Sequence, residues 1–105
     1  MTTVTYYSGC NEIKLEGHAG SGPKGEDLVC CALSTLACTL KQALEDQEIP
    51  YACREDDGSM HIIAAPEGPM QSVMTDIIFR TMASGFWGMS ANYPDYVSYI
   101  ERGGN

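Results

Sequence analysis

Residues 17–34 read GHAGSGPKGEDLVCCALS, and the fold turns on how this stretch is divided. The residues before it alternate: in EIKLEGHA, Ile13 and Leu15 are separated by Lys14 and Glu16, the pattern of a half-buried strand. Gly17, Gly20, Gly22, Pro23 and Gly25 then break any regular structure. Asp27 is a good helix N-cap, and LVCCALSTLACTLKQALEDQ follows it with Val29, Leu33, Leu36, Leu40 and Leu44 at helical spacing. The stretch is therefore a strand end, a glycine-rich loop and a helix start.

Upstream, TVTYYSG alternates β-formers from Thr2, and Gly9 and Asn11 supply a turn, so two strands pair at the N-terminus. Downstream, IPYACRE and SMHIIAA flank Asp56-Asp57-Gly58, whose Asp-Gly pair is a strong hairpin signal. Pro66 and Pro69 open a second helix with Met70, Val73, Met74, Ile77, Ile78 and Met82 as its apolar stripe, and Gly85 and Gly88 are expected to close it. Phe86, Trp87 and Met89 read as core or as an apolar patch for a dimer or peptide contact. YVSYIER alternates again and is a candidate final edge strand. The order ββαββα, with that last strand, predicts an α+β two-layer sandwich in which two helices pack on one sheet.

The whole chain narrows the function. Its 105 residues suit a single domain spanning 1–105, able to bury about 65% of the surface of the unfolded chain without disulfides or a structural metal. A formal charge of −8 argues against nucleic-acid binding, which needs clustered Lys and Arg; it favours a basic partner or a merely well-solvated surface. No apolar run approaches the roughly 20 residues of a membrane span, and MTTVTYYSGC lacks a signal-peptide core, so a cytoplasmic protein is expected. The five cysteines are odd in number and irregular in spacing, without C-x-x-C or zinc-finger geometry. Reduced thiols, no metal and no cofactor are the expectation.

Chemistry concentrates at Cys30. With Asp27 as N-cap, Cys30 occupies the third position of the first turn, where the unpaired N–H groups and the helix dipole favour an anion such as a thiolate. At ~100° per residue, Cys30 falls on the flank of the apolar stripe and Cys31 on the opposite face. Cys31 and Cys38 belong at the surface or in a subunit interface. Asp27 and Ser34 share the side of Cys30. A nucleophilic thiol needs an imidazole, and His18, at the end of the second strand with the loop just after it, is the better placed histidine. His61, mid-strand in MHIIAA, reads as structural. Asp27 could cap the helix, orient His18, or both; Ser34 could bond near the thiol or back-bond within the helix. First-turn N–H groups near Cys30 are the simplest oxyanion hole.

These residues resemble a family signature. Gly17-His18-Ala19, a short glycine-containing loop, Asp27-Leu28-Val29-Cys30, and Ser34 four residues on resemble the ribosomal-processing cysteine proteases, the Prp family. The resemblance runs over the whole chain. It implies a cysteine endopeptidase that removes a short N-terminal extension from a large-subunit ribosomal protein, cutting after apolar and aromatic residues. Cys30 would be nucleophile and His18 general base and acid. The loop Ala19, Gly20, Ser21, Gly22, Pro23, Lys24, Gly25 and Glu26 would be a movable cover over the substrate. A homodimer and a basic ribosomal-protein precursor as substrate are further implications, the latter complementary to the acidic charge. Cys31 stands where the family usually has a small, uncharged residue, and the loop reads Gly-Ser-Gly-Pro-Lys-Gly where an aromatic or acidic residue is often found. The competing readings are a peptidase of the same dyad acting on another protein, such as a phage product, and a catalytically silent, dimeric peptide-binding module.

Overall fold

The computed structural model describes residues 1–18 and 28–103. Seven elements follow in order: β1 (Thr2–Ser8), β2 (Glu12–Glu16), α1 (Leu28–Asp46), β3 (Tyr51–Asp56), β4 (Ser59–Ala64), α2 (Gly68–Asn92) and β5 (Val97–Gly103). The strands form one sheet in the order β3-β4-β2-β1-β5. All neighbours are antiparallel except β1 and β5, which run parallel with Thr2 opposite Val97. The expected α+β sandwich is observed, and the last strand is real and lies at a sheet edge.

Alternation on the strands decides the core. Val4 and Tyr6, Ile13 and Leu15, Ile62 and Ala64, and Val97 turn to the helices and are buried. Val29, Leu33, Ala37, Leu40 and Leu44 of α1 cover them, each large side chain contributing about 1.5–3 kcal/mol by leaving water. By length and composition α1 could cross a membrane, yet here one face of it is the lid of the core. Its end is specified locally. Ile49 N–H donates to Leu44 O at 2.9 Å and Glu48 N–H to Glu45 O at 3.0 Å, with Glu48 left-handed at φ 57°. That is a Schellman stop, with Leu44 and Ile49 both buried beneath it.

The second helix departs from expectation in two ways. Gly85 and Gly88 do not close it; α2 runs on to Asn92, and Tyr93 N–H caps Met89 O at 2.8 Å. Gly85 instead serves close approach, since a Cβ there would stand 3.1 Å from Leu36 Cδ2 of α1. The apolar stripe is also rotated. Thr75, Phe79, Met82, Ala83 and Phe86 are buried, whereas Met70, Val73 and Ile77 are 77, 60 and 58% exposed. Helix α2 is apolar nearly all round, so composition alone left its inward face open. Of the aromatic pair, Phe86 lies in the core and Trp87 faces solvent.

Candidate functional site

The site is assembled at the end of the β2–β4 ladder that faces the start of α1. Strands β2 and β4 pair in register down to Glu16 opposite Ser59. His18 and Asp57 each stand two residues past this last rung, at the same end of the sheet. Gly17 N–H donates to Gly58 O at 2.6 Å, so the pairing outlasts the strands themselves. Gly58 takes φ 77° in the two-residue turn between Asp56 and Ser59, the hairpin foreseen from the Asp-Gly pair.

Gly17 is required by space as well as by angle, and Gly58 by angle. Gly17 has φ 95°, and a Cβ on it would collide with the Met1 carbonyl oxygen. Its own carbonyl accepts from Thr2 Oγ1 at 3.3 Å. A Cβ on Gly58 would lie 3.0 Å from His18 Nε2 and 3.5 Å from Cδ2, so the bare turn backbone is a floor on which the imidazole rests. His18 follows immediately, with its backbone held and its ring 65% exposed. His18 Nε2 lies 3.7 Å from Asp57 Oδ1, an ion-pair distance when the ring is protonated.

Opposite it, α1 presents Cys30 as its third residue, half-buried on the flank of the helix. His18, Cys30 and Ser34 line one cavity of about 160 Å³, room for a few waters or one side chain. Leu15, Leu33, Ala37 and Met60 form its apolar floor, and Glu55, Asp56 and Gly58 its hairpin rim. The expected partners thus share one cavity. Asp27 and the loop 19–26 lie outside the described residues. Cys31 and Cys38 are exposed on the far side of α1, as the helical wheel requires.

His61 is elsewhere. Its neighbours Met60 and Ile62 turn to the helices, so His61 faces the open side of the sheet. There its Nε2 meets Glu12 Oε2 at 2.5 Å, both side chains partly buried. Cys53 is half-buried on β3, where burial pushes its thiol up and the nearby Lys41 only partly offsets this. Among the described residues, no group of three or more His, Cys, Asp or Glu side chains has the arrangement to hold a metal ion. The reading of residues in isolation missed Asp57 and Gly58; the signal was the turn itself, once its register with β2 is counted.

A thiol at the head of a helix, with an imidazole on the wall of the same cavity, is a layout used by cysteine proteases. A family model described as cysteine protease Prp matches residues 1–98, and the chain belongs to that family of cysteine proteases. No curated protein matched the sequence. Among solved structures, the ribosomal processing protease Prp from S. aureus with a covalently linked product peptide is similar at TM-score 0.83 and 20% identity, covering 97% of this chain and 100% of that one. The same protease with a substrate peptide gives TM-score 0.78 and 19% identity over 97% and 100% of the two chains. SMU.848 from Streptococcus mutans gives TM-score 0.71 at 29% identity, over 97% of this chain and 92% of that one. All three share the architecture of two helices on one mixed sheet.

Proposed function

We propose that this chain is a processing endopeptidase that removes the short N-terminal extension of a large-subunit ribosomal protein, with Cys30 as nucleophile and His18 as general base and acid. The observation that carries the reading is that His18 and Cys30 line one cavity in a chain of the cysteine protease Prp family. The S. aureus relatives described as ribosomal processing proteases hold peptides, which supports a peptide substrate here.

In the proposed sequence His18 takes the thiol proton, and Cys30 Sγ adds to the scissile carbonyl carbon. The N–H groups of the first α1 turn face the developing oxyanion. As the intermediate collapses, the C–N bond breaks and His18 gives its proton to the departing amine. A water deprotonated by His18 then adds to the thioester, and the C–S bond breaks to release the acid and the thiol. The apolar floor of Leu15, Leu33, Ala37 and Met60 suits an apolar or aromatic residue before the cut. The acidic charge suits a basic ribosomal-protein precursor, met in the cytoplasm. The exposed strip of Met70, Val73 and Ile77 on α2 supports a homodimer built on that face.

The test is cleavage of an extended ribosomal protein, with products read by mass spectrometry, by wild type and by Cys30→Ala, His18→Ala and Cys31→Ala. A single defined cut lost with Cys30→Ala and His18→Ala and kept with Cys31→Ala is the expected result. No cut by wild type overturns the substrate assignment.

A further inference from the structure

The geometry points to Asp57 as a positioning residue for the reaction: from the β3–β4 turn it holds the His18 imidazole by its Nε2 edge and leaves Nδ1 for the Cys30 thiol. This rests on the reading of His18 and Cys30 as the working pair.

Three independent features place Asp57 in this role. The first is register. The β2–β4 ladder closes with Glu16 opposite Ser59, which brings His18 and Asp57, each two residues past that rung, to the same end of the sheet. The second is the floor beneath the ring. Gly58 offers no Cβ, so the imidazole lies against the turn with its Nε2 directed along it toward Asp57 Oδ1 at 3.7 Å. The third is the clamp. The 2.6 Å bond from Gly17 N–H to Gly58 O ties the backbone preceding His18 to the same turn that carries Asp57.

Other charges nearby do not replace it. Glu55 and Asp56 line the cavity, but among the described residues Asp57 is the carboxylate within 4.0 Å of His18. At 3.7 Å the pair falls short of a hydrogen bond in the resting protein, as catalytic contacts often do before substrate arrives. A negative charge at this edge matters most when His18 holds the thiol proton, because the imidazolium then faces a carboxylate behind it and a thiolate before it. No bond to Asp57 forms or breaks; the proton stays on His18 until the amine takes it.

The experiment compares wild type, Asp57→Asn, Asp57→Glu and His18→Ala on a fluorogenic peptide spanning the cleaved junction of the extended ribosomal protein. Asp57→Asn keeps the shape and loses the charge. It is expected to lower kcat about fivefold, the upper end for an exposed pair, with KM and Tm unchanged. Asp57→Glu should recover part of kcat. Raising salt should lower the kcat of wild type toward that of Asp57→Asn and leave that variant unmoved, because an exposed pair is screened. An Asp57→Asn enzyme with wild-type kcat, or a loss that tracks Tm or KM instead, overturns the assignment while an inactive His18→Ala preserves the dyad. Activity retained by His18→Ala overturns both.

Discussion

Of the two histidines of this chain, His61 lies within the β2–β4 ladder and His18 just past its end, each beside a carboxylate, and they are held in opposite ways. His61 and Glu12 meet at 2.5 Å, half-buried on the open face. His18 and Asp57 stand 3.7 Å apart, largely exposed, on the rim of a cavity that also contains Cys30. A tight, partly desolvated pair fixes two side chains through one ring edge. A looser pair steadies the ring and keeps its other nitrogen available to a thiol. The distance between partners therefore separates a histidine tied into the sheet from the one proposed to transfer protons.

The largest test of that contrast removes the rings. His18→Ala, like Cys30→Ala, should lower peptide cleavage by about 10³-fold or more, whereas His61→Ala should stay within twofold; initial rates on the junction peptide decide it. Equal losses from the two histidine variants would erase the distinction. Next comes the floor under His18. Gly58→Ala sets a methyl 3.0 Å from Nε2 at φ 77°, strain of about 1–2 kcal/mol, and should cost about tenfold in kcat/KM, with a Tm fall seen in thermal melts.

His61→Ala probes the structural side. Losing a partly exposed pair should cost about 1 kcal/mol, a Tm drop of about 4–8 °C for a domain of this size, without a change in kcat. The finest test uses alkylation of single thiols followed by mass spectrometry. Labelling of Cys30 near pH 7 should slow in His18→Ala and not in His61→Ala. Cys53 serves as the slow reference: its raised thiol range keeps it protonated at neutral pH, so its labelling climbs only as pH rises past the ordinary thiol value.

How far the sequence announced all this differs between the two helices. In α1, Val29, Leu33, Leu40 and Leu44 stand apart from Thr35, Thr39 and Gln42, so hydropathy marks one inward stripe, and Cys30 falls on its flank as expected. In α2, apolar residues circle the helix, and the choice between Ile77 and Phe79 as the buried one was made by packing against β1, β5 and α1. Glycine misled for a related reason. Gly85 reads as a terminator in one dimension and as a helix–helix contact in three. At the site, the spacing of His18 and Cys30 was legible within a single motif. Asp57 was not, because its relation to His18 exists only through the pairing of β2 with β4, nearly 40 residues apart in sequence.

The parallel pairing of β1 with β5 has a consequence in time. Thr2 lies opposite Val97, and Thr2 N–H donates to Tyr96 O at 2.8 Å. Closing a loop of about 95 residues costs roughly 4 kcal/mol in chain entropy before any contact compensates for it. The same N-terminal residues buttress the corner that carries His18, through the Met1 carbonyl against Gly17 and the Thr2 hydroxyl on its oxygen. The β1–β5 closure is therefore expected to lag the local β1–β2 hairpin, which by itself brings Met1 and Thr2 against Gly17.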